Sequence, residues 1–201
     1  EVAMLTVLDV PHWMDRDFDF ITPWIQILSG KFVQEFSLIQ ERRGCHRELP
    51  SYLFSRVRFD NLTHLTLINF TFPLVFYLPW DFPSLISLQM HVHIYMEPFP
   101  QQAEVFGLLT SKCPLLESLD LKVCALKSSL SIHAPKLQNL VLHGRLSRIC
   151  LEEAKQVKTL SLQASIDAWM EFFTCLPELE KLLLDSWFWE ARKIQLKFSV
   201  S

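Results

Sequence analysis

The side chains able to do chemistry are few and scattered. His91 and His93 alternate along one apolar run, as two metal ligands on a single strand do. No third Cys, His or carboxylate stands at ligand spacing nearby along the chain, so no metal site is expected there. His64, His91 and His143 form a candidate row across neighbouring strands that would titrate near pH ~6.5. The five cysteines, Cys45, Cys113, Cys124, Cys150 and Cys175, are odd in number and form no C-x-x-C pair. That pattern disfavours both a zinc finger and a complete disulfide framework, and points to reduced, mostly buried thiols. Cys113 and Cys175 each close an apolar helical stretch, which is the place of a packing residue rather than an activated nucleophile. Glu152 and Glu153 are adjacent on a turn and do not converge on one substrate atom. There is no G-x-S-x-G elbow and no phosphate-cradling glycine string. The expectation is a chain that is not an enzyme and holds no metal or other cofactor.

Composition narrows the partners. The 201 residues are 50% hydrophobic, carry a formal charge of −3 and include only four glycines. A chain of this length can bury one sizeable core, and a single domain over 1–201 is expected. The charge balance lacks the basic stripe that nucleic acid needs. No apolar run reaches the ~18 residues of a membrane span. Nucleic acid and membrane are therefore not expected as partners, and a cytoplasmic or nuclear setting is. No signal peptide is visible, and Glu1 is not an initiator methionine.

The elements that must position any site are written in a repeat. Pro83-Ser-Leu85-Ile-Ser-Leu88-Gln-Met90, Pro114 to Leu121, Pro135 to Leu142 and Pro177 to Leu184 all follow P-x-L-x-x-L-x-L, with Met90 the one exchange. Leu62 to Leu67 and Val157 to Leu162 follow it without the proline. This is leucine-rich-repeat spacing. In L-x-L the two leucines share one side of a strand and the residue between them takes the other. Proline fixes φ and stops the preceding element. One unit cannot hide its own apolar face, so successive strands must stack, each buried leucine contributing roughly 1.5–3 kcal/mol. Cys124 stands three residues after Leu121, at the Asn/Cys position of the repeat. The expected fold is α/β, a leucine-rich-repeat solenoid with stacked parallel strands on a concave face and short helices or strands on a convex face.

The intervals between motifs say what joins the strands. Motifs starting at Leu116, Leu137, Val157 and Leu179 are 21, 20 and 22 residues apart. Weaker copies at 129–132 and 146–151 fall half a period later, so 116–162 is expected to be strand on both sides. Longer gaps suit helices. Ser165 would cap a helix to Cys175 carrying Ile166, Trp169, Met170 and Phe173 on one stripe. Phe99–Cys113 would carry Val105, Phe106 and Leu109 behind Pro100, ended by Pro114. Thr22 and Pro23 would open a short helix with Trp24, Ile25 and Leu28, ending at Gly30. Val33 to Leu38 and Leu5 to Val10 are degenerate strand copies.

If the leucines point inward, their neighbours face outward. The candidate partner-binding set is then His64 and Thr66, Gln89 and His91, Ser118, Asp120 and Lys122. It continues through Asn139, Val141 and His143, Ser161 and Gln163, and ends with Lys181 and Asp185. This mixed, mostly neutral surface suits a protein or peptide better than phosphate, which favours clustered arginine. Trp187-Phe188-Trp189 cannot all point inward and would form an aggregation or dimerisation patch if uncovered.

Several strings, in this order, resemble the leucine-rich-repeat region of plant F-box proteins that often carry an FBD domain. They include Trp24-Ile25 to Ser29, Glu35-Phe36-Ser37-Leu38, Leu49-Pro50-Ser51-Tyr52, Phe82-Pro83-Ser84-Leu85 and Cys113-Pro114-Leu115-Leu116. His133-Ala134-Pro135, Ile149-Cys150-Leu151-Glu152 and Leu176-Pro177 follow. The likeness spans about 5–189. The F-box expected upstream and the FBD region expected after Trp189 are absent from the sequence. The resemblance implies a target-recognition region of an SCF-type ubiquitin ligase. A target protein would bind the concave face, and a Skp-type adaptor and cullin would be reached only through the missing F-box. The same leucine grammar also serves the ligand-sensing repeats of intracellular plant immune receptors, and a truncated paralogue without a partner is the third alternative.

Overall fold

The computed structural model describes residues 21–29, 31–40, 47–48, 59–71, 81–93, 102–151, 153–166 and 169–185. Leu5 to Val10, Cys45 and Trp187-Phe188-Trp189 lie outside them, as do the side chains of Trp24, His93, Val105, Cys124, Ser165, Trp169 and Met170. In chain order the elements are α1 (Ile21–Ser29), β1 (Glu35–Ile39), β2 (Arg47–Glu48), β3 (His64–Thr71), β4 (Ser87–His93) and α2 (Gln102–Ser111). There follow β5 (Ser118–Ser131), β6 (Asn139–Cys150), β7 (Thr159–Ile166), α3 (Trp169–Thr174) and β8 (Lys181–Leu184). The fold is mixed α/β around one sheet. Its strands run β1-β3-β4-β5-β6-β7-β8, with β2 beside the end of β3, and every pairing is parallel.

Each repeat begins with the same turn. The amide of Leu85 donates to the carbonyl of Phe82, Leu116 to Cys113, Leu137 to Ala134 and Leu179 to Leu176. In each case proline is the second of the four residues, where its fixed φ suits a β-turn. Proline therefore shapes the entry to the strand as well as ending the previous element. The first leucine is then aimed inward: Leu62, Leu85, Leu116, Leu137 and Val157 are all fully buried.

A second device fixes the register. The Ile86 carbonyl accepts from both Glu117 and Ser118, that of Glu117 from Gln138 and Asn139, and that of Gln138 from Lys158 and Thr159. Every strand is thus started one level above its predecessor at the same motif position. Leu88, Leu119, Leu140, Leu160 and Leu182 come into one row, and Met90, Leu121, Leu142, Leu162 and Leu184 into the next. The buried leucines join Phe36, Phe82, Phe106, Leu109 and Phe172 in one continuous core.

The connections partly match expectation. Phe36 and Leu38 of β1 are buried, as a degenerate repeat strand requires. Residues 129–131 and 146–150 are strand, but they continue β5 and β6 past irregular pairings between Val123 and Leu126 and between Leu126 and Ser129. Only three short helices occur among the described residues, so helices do not accompany every repeat. α2 packs on β5 and buries Phe106 and Leu109. Its buried Thr110 hydroxyl donates to the Phe106 carbonyl and accepts from the His133 amide at 2.9 Å. The last helix departs from its expected stripe: Ile166 and Ser165 belong to β7, the helix starts at Trp169, and Phe172 is the fully buried residue. Pairing of Leu146 with Ile166 extends β7 into what the helical spacing had claimed.

The thiols also need correction. Cys113 is buried, and burial followed by the nearby Asp81 charge pushes its thiol up to about 12. Cys150 is half-buried and Cys175 exposed, its Sγ 3.4 Å from the Glu171 carbonyl of the preceding turn. Cys175 is thus no core residue: just past the end of α3, the next residue, Leu176, is the one that turns into the core.

Candidate functional site

The residues between the leucines do face away from the core. Along β3, β4, β5 and β6 the buried leucines alternate with residues that remain half-buried or exposed. Register decides which of them meet. Thr66, Gln89, Asp120, Val141 and Ser161 form one row across the sheet, and Ile68, His91, Lys122, His143 and Gln163 form another. His64, Ser118, Asn139 and Lys181 belong to a third row at the strand entrances, with Ser87 and Thr159. His64 therefore stands apart from His91 and His143, and its Nδ1 lies 2.9 Å from the Thr63 hydroxyl. The three-histidine row is corrected to a pair. Asp185 follows β8, its amide donating to the Leu162 carbonyl.

His91, Asp120 and His143, on three successive strands, converge on one point. Asp120 Oδ1 is 3.3 Å from His91 Nε2 and 3.1 Å from His143 Nε2. Its other oxygen, Oδ2, accepts from the Gln89 amide at 2.9 Å. On the far side, His143 Nδ1 lies 3.0 Å from Gln163 Oε1. The two imidazoles meet edge-on, with ring centroids 5.6 Å apart. The three side chains are only 18–26% exposed, on a face where Lys122 and Gln163 are exposed. Burial raises the Asp120 carboxyl. The hydrogen bond and charge of His91, the Gln89 bond and the His143 charge outweigh it and hold the group below its ordinary range.

The backbone makes this convergence attainable. Gly144, directly after His143, has φ of +115°, and a Cβ there would sit 1.9 Å from the Val123 carbonyl oxygen. Only glycine lets β6 approach β5 so closely at this level. Asn69 adopts φ of 66° at the irregular step between β3 and β4, and its amide donates to the Gln40 carbonyl at 2.7 Å. Asparagine tolerates that left-handed conformation better than most residues.

Two expectations fall here. No third donor stands beside His91 along the chain; the sheet supplies it from the neighbouring strand. The expectation of a chain that is not an enzyme is likewise overturned, because His91, Asp120 and His143 place donor atoms within 4.8 Å of one another and could hold a metal ion. A carboxylate between two imidazoles is also a constellation for sharing a proton. Aligning the repeats on their leucines would have revealed it: His91 and His143 each stand three residues after the second motif leucine, and Asp120 stands one after.

Residues 21–168 match the family model described as FBD-associated F-box protein At5g56370, LRR repeats. The chain belongs to this F-box-associated leucine-rich-repeat family. No curated protein and no solved structure matches it. Within the family match lie the whole of β1 to β7 and every member of the His91–Asp120–His143 cluster. No helix among the described residues is long and apolar enough to cross a membrane.

Proposed function

We propose that the outward face of this sheet is the target-recognition surface of an F-box adaptor in an SCF-type ubiquitin ligase. The stacked strands would form the concave flank of a leucine-rich-repeat solenoid spanning 1–201. Their polar rows would grip a target protein, while a Skp-type adaptor and cullin engage an F-box elsewhere in the parent chain. The setting would be the cytoplasm, the nucleus or both. The family match over 21–168 carries this reading. A row of half-buried polar residues on the outward strand face supports it, because such a surface offers many hydrogen bonds with little reorganisation. Thr66, Gln89, Val141 and Ser161 would supply the middle of that contact, with Ser118, Asn139, Lys181 and Asp185 at its rim.

The test uses the full-length parent protein. Affinity purification should recover a Skp-type adaptor together with a target that cross-links to the sheet face. Substituting Lys122→Glu and Gln163→Lys together should abolish target recovery while leaving the adaptor in place. Loss of both, or retention of the target, would move recognition off this face. A parent transcript encoding a nucleotide-binding domain in place of an F-box would instead favour an immune receptor.

A further inference from the structure

We propose that His91, Asp120 and His143 bind one divalent cation of the zinc class on the sheet face, with a fourth coordination position open to solvent. The argument starts from spacing. A tetrahedral ion with bonds of about 2.0–2.1 Å holds its donors about 3.3 Å apart. Asp120 Oδ1 stands 3.3 and 3.1 Å from the two Nε2 atoms, and all three donor atoms lie within 4.8 Å of one another. Two imidazoles and one carboxylate suit zinc in preference to magnesium or calcium, which require a cage of oxygens.

The surroundings match a metal site as well as the donors do. A ligating histidine carries its proton on the other ring nitrogen and donates it to a fixed acceptor. With Nε2 of His143 on the ion, Nδ1–H faces Gln163 Oε1 at 3.0 Å. A ligating carboxylate is itself held by hydrogen bonds, and Gln89 secures Asp120 Oδ2 at 2.9 Å, leaving Oδ1 for the ion. Below the site the three ligand strands are locked by the shared carbonyls of Ile86 and Glu117, so the donors are positioned before any ion arrives. Three protein donors with one position open is the arrangement in which zinc holds a water or accepts a donor from a partner.

The experiment is equilibrium dialysis of the full chain against Zn²⁺, with bound metal counted, and a parallel titration with Co²⁺ read by visible absorption. One equivalent should bind, and Co²⁺ should give tetrahedral bands without a thiolate charge-transfer band. Asp120→Asn and His91→Asn should abolish saturable binding. Gln163→Ala, which touches no ion, should weaken it about 10–100-fold. Unfolding curves recorded in chelator keep folding separate from binding. Three results would overturn the proposal: no saturable binding to the folded wild type, binding unchanged in Asp120→Asn, or a thiolate band that moves the ion to a cysteine such as the exposed Cys175.

Discussion

The two sides of β5 and β6 are made from the same strands, yet they are determined in different ways. Inward, Leu119, Leu121, Leu140 and Leu142 are each at most 2% exposed, and the neighbouring repeats place leucine at the same positions, with Phe36 and Met90 the exchanges. Outward, Asp120, Lys122, Val141 and His143 share nothing in type, and their meaning comes from which strand lies beside which. A leucine row is redundant, since each member does what its neighbours do. The His91–Asp120–His143 cluster is combinatorial, since no one repeat contains it. Stability should therefore be concentrated on one side and specific chemistry on the other.

The largest expected effect tests the inward side. Leu140→Ala removes a fully buried side chain between two identical neighbours and should cost about 2–5 kcal/mol through the cavity it leaves. Chemical denaturation measures it. Leu182 occupies the same motif position on β8 but is 41% exposed, so Leu182→Ala should cost less than half as much. Equal costs would mean that Leu182 is covered in solution, and that the edge strand is as much a part of the core as the centre.

Gly144 is where the two sides touch. Any side chain there meets the Val123 carbonyl, and the positive φ alone costs about 1–3 kcal/mol for a residue other than glycine. Gly144→Ala should lower the denaturation midpoint and also displace His143 from Asp120. Loss of stability with the His143 resonances unmoved in an NMR spectrum would show that the cluster does not depend on this close approach. The spacing of the repeat did not mark Gly144, because one of four glycines in 201 residues shows no pattern until the strand beside it is known.

The inward side was legible for a physical reason. Burial demands apolar side chains wherever the strand turns a given way, so period and position survive in the sequence as leucines. Prolines added the turn that starts each strand. The extent of β7 was less visible, since Ile166 fits a helical stripe and a strand end equally well, and pairing with Leu146 decided between them. The cluster was hidden for another reason. His91 and Asp120 are 29 residues apart, and their distance in space depends on the crossover through α2, which differs from the one that leads on to His143.

A smaller, pH-dependent difference separates two thiols. Cys113 is buried with its pKa pushed up to about 12, while Cys175 is exposed. Alkylation of the native protein should mark Cys175 and spare Cys113. The linkage has a definite sign. A thiol whose folded pKa is raised holds its proton longer in the folded state, so its contribution is complete below about 9 and declines as pH rises toward about 12. Denaturation midpoints of the wild type should therefore fall across that window more steeply than those of Cys113→Ala.

The smallest expected effect lies where β6 meets α3. Arg148 and Glu171 approach to 2.7 Å, but both are more than half exposed, at 60% and 66%. Water screens such a pair, and holding two long side chains in place costs entropy, so Arg148→Gln should change stability by no more than about 1 kcal/mol. Phe172, next to Glu171 and 1% exposed, lies in the shared core, and Phe172→Ala should cost several times as much as loss of the ion pair. Urea denaturation of both variants and of the pair together would compare them. If the ion pair proved as costly to remove as the phenylalanine, helix docking would be driven by charge on the outward side, and the division of labour between the two faces would fail at this connection.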